Sequence, residues 1–180
     1  DLMARAVTDP IAKNLGQPFL IDNRPGANGI IGAEILSKSV ADGYTIGMVI
    51  AGHTANQTLY DKLPYHAVKS FQPISLAGIA PLILVASNAV AARDVKELIG
   101  LARAKPGSVS FGSSGVGAAA HLTMELFAQQ HGISLNHIPY KGTAPALADL
   151  VGGHIQIMFD TMSAMLPMIR AGKIRAFGLA

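Results

Sequence analysis

The feature that most limits what this chain can become is a repeated unit. A short apolar run is followed by a loop rich in glycine or proline, and then by a stretch with helical spacing. In the second half, Ser108-Val-Ser-Phe111, Leu135-Asn-His-Ile138, Ile155-Gln-Ile-Met-Phe159 and Ile174 to Leu179 each read as strands. Between them, His121–Gln130, Pro145–Val151 and Met162–Arg170 read as helices. Met162, Met165 and Met168, three apart, form a core stripe on the last of these. Parallel strands need a crossover that is usually a helix, so this alternation implies parallel α/β architecture.

The first half reads in the same terms. Apolar residues from Leu2 to Leu15 have helical spacing, with Pro10 expected to kink or restart the helix and Gly16 to stop it. Phe19–Ile21 reads as a short buried strand, Asn23–Gly29 as a loop of breakers, Ile30–Val40 as a helix and Tyr44–Ile50 as a strand. The segment Ala51–Asn56 reads as a loop after that strand. Pro73–Ser87 is long and extended and divides the two halves, while Asp94 with Glu97 three residues on signals a helix start. The expected fold is therefore α/β: two lobes, residues 1–84 and 85–180, each a mostly parallel sheet flanked by helices, joined by a crossing strand into a clamshell.

Composition removes several function classes. Half of the residues are hydrophobic and 14% are charged, which excludes disorder. The longest apolar run, Leu76–Ala86, would rise only about 16 Å as a helix, against roughly 30 Å of hydrocarbon. A net charge of +3 is scattered, with no Lys/Arg run and no Trp, which argues against a nucleic-acid partner. Without cysteine there is no disulfide, thiolate or cysteine metal site. The opening Asp1-Leu-Met-Ala-Arg5 reads as a helix already under way, without a signal peptide, and the end reads as an unterminated strand. The expectation is a fragment lacking elements at both ends.

The sharpest local feature is Ser113-Ser114-Gly115-Val116-Gly117, between a strand and a helix. Open α/β sheets bind ligands at the carboxyl ends of their strands. Glycines there let backbone N–H groups approach an anion, the following helix presents unpaired donors, and the serine hydroxyls add more. The same glycines could also serve only a tight turn. Gly115, Gly117 and Ala120 fit a dinucleotide fingerprint, but Leu135–Tyr140 has no carboxylate to hold a ribose, so a nicotinamide cofactor is not expected. Val116 stands where a nucleophile elbow needs glycine. The six histidines form no metal-ligand pattern, and neither cofactor nor metal is expected. His121, in the first turns of the following helix, is open to ligand contact, packing or capping. Tyr140-Lys141-Gly142-Thr143 is a second loop after a strand, able to offer a ring, a cation and a helix start, or merely an N-cap at Thr143. Asp160-Thr161 is a third, where Asp160 could bind an amine, orient water or cap a helix. Gly52-His53-Thr54 holds the equivalent place in the first half.

The chain resembles the Bug (TctC-like) receptors of tripartite tricarboxylate transporters. The resemblance is carried by Asn23-Arg-Pro-Gly-Ala27 with Gly32-Ala-Glu34, Asp42-Gly-Tyr-Thr45, Leu63-Pro-Tyr65, Phe71-Gln-Pro-Ile-Ser75 and Ala104-Lys-Pro-Gly107. In the second half it is carried by Ser113–Gly117 with His121-Leu122, Pro139-Tyr-Lys-Gly-Thr-Ala-Pro145, Asp149-Leu150, Phe159-Asp160 and Ala171-Gly-Lys173. Each match is weak alone, and the shared order across the chain is specific.

That resemblance implies a type II periplasmic binding fold, monomeric, with a small carboxylate held between lobes and delivered to membrane permease subunits. It implies no catalysis, no cofactor, and a periplasmic location with a signal peptide outside this chain. An NAD-dependent oxidoreductase and a ligand-sensing binding protein are the alternatives. Carried over by position, the resemblance points to Gly52, His53, Thr54, Ser113, Ser114, Gly115, Gly117, Tyr140, Lys141 and Asp160. Asp1, Ala118, His121, Gly142 and Thr161 complete the candidates. The family usually has threonine where this chain has Ala118, and a loop running into the residue that is Asp1 here. A missing hydroxyl at 118 leads to the expectation of a monocarboxylate or aromatic carboxylate rather than a citrate-like ligand.

Overall fold

All the strand pairing among the described residues lies within residues 82–179. The computed structural model describes residues 2–180. They divide into two compact units, one ending at Ile79 and the other spanning Ala80–Ala180. The sequence placed the division after residue 84, but Leu82–Ser87 forms the first strand, β1, of the second unit.

The remaining strands are β2 (Ser110–Ser113), β3 (Asn136–Pro139), β4 (Ile157–Thr161) and β5 (Ile174–Leu179). They form one sheet in the order β3-β2-β4-β1-β5. β2 runs parallel to β3 and β4, while β1 lies antiparallel between β4 and β5. The carboxyl ends of β2, β3 and β4 therefore share one edge, and Leu82, at the start of β1, pairs with Thr161 at that edge.

Period-two alternation sends neighbouring side chains to opposite faces. Leu84, Ala86, Ile157 and Phe159 face a core completed by Leu98, Phe111 and Met124. That side is covered by α4 (Val95–Ala104) and α5 (Ala119–His131). Ile83, Val85 and Met158 face the other core with Leu150, Ile155 and Met165, under α6 (Thr143–Gly152) and α7 (Met162–Arg170). β4 is central and covered on both sides, which is why its sequence is a nearly unbroken apolar run. Each buried Leu, Ile or Phe contributes about 1.5–3 kcal/mol by leaving water. Met165 is fully buried with Met162 and Met168 packed beside it, as the three-residue spacing implied.

Helix α4 begins where Asp94 and Glu97 indicated. Asp94 Oδ1 accepts from the Glu97 N–H at 2.8 Å, and Glu97 Oε2 accepts from the Arg93 N–H at 2.8 Å. This is a capping box reaching one residue further upstream than the usual pattern.

The first unit contains α1 (Leu2–Leu15), a 3-10 turn at Ala27–Gly29, α2 (Ile30–Ser37) and α3 (Gly52–Leu59). Several sequence expectations are corrected here. Pro10 lies inside one unbroken α1, and α2 ends at Ser37 rather than Val40. Phe19–Ile21 and Tyr44–Ile50 join no ladder, and Leu20 and Tyr44 are 95% and 94% exposed. The extended segment is a strand only from Leu82 onward. An apolar run has strand potential, but a strand exists only through hydrogen bonds to a neighbour, and these runs have none among the described residues. Ala51–Asn56, expected as a loop, enters α3 at Gly52. Among the described residues, no helix is long and apolar enough to cross a membrane.

Candidate functional site

Three strand-to-helix junctions meet at the shared carboxyl edge of β2, β3 and β4, and they are hydrogen-bonded into one surface. After β2 the chain needs Gly115 at φ 144° and Gly117 at φ 78° to turn into α5. Side chains rarely adopt such conformations, so the turn depends on glycine. The Tyr140 N–H donates to the Ser113 carbonyl at 3.0 Å and the Gly142 N–H to the Ser114 carbonyl at 3.1 Å, tying the second junction to the first. The Thr143 hydroxyl donates to Asp160 Oδ2 at 2.7 Å, tying the third junction to the second. At the same edge, the Met162 N–H donates to the Pro81 carbonyl at 3.2 Å.

The hydroxyls are not all directed outward. Ser113 is fully buried; its Oγ donates to the Gly115 carbonyl at 3.1 Å, accepts from the Gly115 N–H at 3.3 Å and lies 2.7 Å from His137 Nε2. It shapes the turn from within. Ser114 stands half-buried on the loop, and its side chain has no hydrogen-bond partner among the described residues. Ala118 is the N-cap of α5, with extended backbone and no side-chain cap. The first N–H groups of α5 lack carbonyl partners within the helix, as at any helix start. Together with the glycine turn they make a surface suited to an anion.

Asp160, buried, uses Oδ1 to accept the Thr161 N–H at 2.7 Å and Oδ2 to accept the Thr143 hydroxyl. Its carboxylate is a brace between β4 and α6. The N-cap of α6 is Gly142, not Thr143, whose hydroxyl is the donor to that brace. The Tyr140 hydroxyl donates to Asp149 Oδ2 at 2.6 Å. Burial, with that bond and the Asp149 charge, pushes the phenol up to about 12. Lys141 is exposed beside it, and Thr161 is the N-cap of α7.

In the first unit Gly52 and His53 are buried at the start of α3. His53 stacks on Tyr65 at 5.4 Å and meets the edge of Phe71 at 5.0 Å. Its Nε2–H donates to the Ala67 carbonyl at 2.9 Å. The ring is a packing element of that unit. Thr54 is exposed and its hydroxyl donates to the Ala51 carbonyl at 3.0 Å. Asp1 lies outside the described residues. Among the described residues, no three His, Asp or Glu side chains gather as a metal site requires.

One element of the site escaped the sequence reading. His121 and His137 stack with ring centroids 4.0 Å apart and a 22° interplanar angle, and His137 stacks in turn on Phe111 at 4.6 Å. His121 Nδ1 accepts the Gly117 N–H at 3.2 Å. Burial, and secondarily the His121 charge, lowers His137 to about 4. The only sequence trace of this pair was that His121 follows the glycine loop by one helical turn. A second surface feature, an apolar groove lined by Leu84, Val95, Phe127, Phe159 and Leu179, offers an anion little.

Comparison with known proteins gives a consistent result. The family model for the tripartite tricarboxylate transporter family receptor matches residues 3–180. BugT of Bordetella pertussis is 38% identical over 99% of this chain and 56% of its own. A UPF0065 protein from the tcbD-tcbE intergenic region of Pseudomonas sp. strain P51 is 35% identical over 99% and 53%. Among solved structures, an R. palustris protein with adipate has a TM-score of 0.90 at 34% identity, covering 99% of this chain and 60% of its own. MatC from Rhodopseudomonas palustris, with bound malate, has a TM-score of 0.84 at 30% identity, covering 100% and 62%. The chain spans about half the length of the curated relatives it matches.

Proposed function

The chain belongs to the tripartite tricarboxylate transporter receptor family, and from that premise we propose that it captures a small carboxylate at the glycine-loop edge of its second unit. In the whole protein the captured ligand is delivered to a membrane permease from the periplasm. The observation that carries this reading is the β2–α5 turn. Gly115 and Gly117, both at positive φ, set the turn into a helix start whose first N–H groups lack helical partners, and the turn is hydrogen-bonded to the neighbouring junction. The adipate and malate found in similar proteins are of the ligand class such a surface suits.

The energetics require no reaction chemistry. Micromolar capture needs about −8 kcal/mol. Several neutral hydrogen bonds at roughly 1 kcal/mol each, with a helix-terminus contribution of up to about 2 kcal/mol, supply much of it. Apolar ligand surface adds about 25 cal/mol per Å² buried. Ala118, buried at the helix start, carries a methyl where a hydroxyl would favour oxygen-rich ligands. The proposed ligand is therefore a carboxylate with an apolar body, such as a monocarboxylate or aromatic acid, in preference to citrate.

Calorimetry on the whole receptor with benzoate, adipate, citrate and NAD tests the assignment. Saturable binding of a carboxylate with an apolar body, and none of NAD, is the expected result. Saturation by NAD with no response to any carboxylate would overturn it in favour of a dinucleotide enzyme.

A further inference from the structure

Beneath the glycine loop lie two imidazoles that nothing in carboxylate capture itself requires. His137, on β3, reaches Ser113 Oγ at 2.7 Å, and Ser113 Oγ in turn bonds both the N–H and the carbonyl of Gly115. His121, on α5, accepts the Gly117 N–H through Nδ1. The loop is therefore held at both of its glycines from the same side, by two rings stacked 4.0 Å apart on the Phe111 face.

The bond to Gly117 sets the state of His121. An Nδ1 that accepts an N–H carries no proton of its own, so the bond to Gly117 requires the form of the ring that is protonated only at Nε2. That nitrogen faces Glu125 Oε1 at 3.6 Å. Among the described residues, Glu125 is the one carboxylate within ion-pair range of either ring. From β2 the pair meets Phe111 and Ser113, neither charged, and on α5 His121 has Glu125 one turn along. Two imidazolium ions at this separation would repel strongly.

We propose that His121 and His137 are positioning residues that hold the glycine loop in its anion-binding form, His121 through an Nδ1 that accepts the Gly117 N–H and His137 through Nε2 on Ser113 Oγ. A proton on His121 Nδ1 would put two N–H groups against each other and release Gly117. The charge would also oppose protonation of its stacked neighbour. The consequence for affinity rests on the carboxylate reading above, whereas the hold on the loop does not.

The test therefore has a ligand-free arm. In the whole receptor, the Gly115 and Gly117 amides are followed by NMR hydrogen exchange. His121→Asn keeps an acceptor at the Nδ1 position without a titrating ring, and His137→Gln keeps a hydrogen-bonding group at the Nε2 position. Both are expected to preserve amide protection. His121→Ala and His137→Phe are expected to remove protection at Gly117 and Gly115 respectively. In the second arm, each of these two changes lowers adipate or benzoate affinity about three- to tenfold, and the conservative pair restores it. Amides indifferent to His121→Ala and His137→Phe would overturn the inference even if carboxylates bind. A receptor that binds no carboxylate but shows the amide effects would overturn the functional reading and leave the positioning role standing.

Discussion

The two units of this chain share a composition of short apolar runs and helices, yet only one turns its runs into strands. In the second unit, β1 pairs with β4 in register and with β5 across one irregularity at Leu84/Val85, and their side chains fill two cores. In the first, Leu20, Tyr44 and Ile79 are 95%, 94% and 83% exposed, on segments outside any ladder. The first unit's buried set is small: Gly52, His53 and Asn56 of α3, with Ala33, Tyr65 and Ala67. Apolar patterning makes a segment able to be a strand, while the neighbouring strand makes it one. The site follows the same division, because three parallel carboxyl ends at one edge exist only where there is a sheet.

Core truncation should separate the units most sharply. Leu98→Ala or Ile157→Ala, both fully buried, should destabilise the second unit by about 2–5 kcal/mol in urea unfolding. Leu20→Ser should stay within about 0.5 kcal/mol, as surface changes do. Equal losses would erase the contrast.

A smaller effect is expected at the loop. Gly115→Ala places a side chain at φ 144°, with its Cβ 3.7 Å from the Tyr140 carbonyl. Strain of about 1–3 kcal/mol should appear as lost carboxylate affinity or lost stability of the second unit. Unchanged values for both would show that the turn is not held in this conformation. Asp94→Ala removes the α4 cap bond and should lower stability by about 1 kcal/mol while leaving carboxylate affinity unaltered. An affinity change would mean that α4 communicates with the site.

The mildest expected effect is with pH. His137 is lowered from its ordinary 6.5 to about 4 in the folded protein. The unfolded chain therefore takes a proton, below about 6.5, that the folded chain refuses. The stability this ring contributes is present above pH 6.5 and is lost as pH falls toward 4. Urea midpoints measured across that window should decline in the native chain and flatten in His137→Gln. A decline of the same slope in both would assign the effect to other groups.

Much of the second unit was legible because its local signals agree. Asp94 and Glu97 marked α4, the methionine spacing marked α7, and Ile174–Leu179 is β5 as read. The glycine loop was found because the need for positive φ is written in the residue type. The histidine pair was not, since His121 and His137 lie on different elements and only the β2–β3 pairing under α5 brings their rings together. Ser113 was expected to face a ligand. Strand alternation and the final position of β2 instead bury it, and its identity alone carries no sign of that. The first unit misled for the opposite reason: Phe19–Ile21 and Tyr44–Ile50 carry strand-forming residues, but pairing is a non-local property that no local pattern supplies.

The central claim is that an anion binds at the joined β2–α5 and β3–α6 junctions. Its most direct measurement is amide mapping by NMR of the whole receptor during titration with adipate and benzoate. The account expects the largest saturable shifts at Ser114 to Ala119 and at Lys141 to Thr143, with α4 and the remote side of the sheet unmoved. Shifts confined to the first unit, or to the groove lined by Leu84, Phe127 and Leu179, with the glycine loop silent, would contradict it.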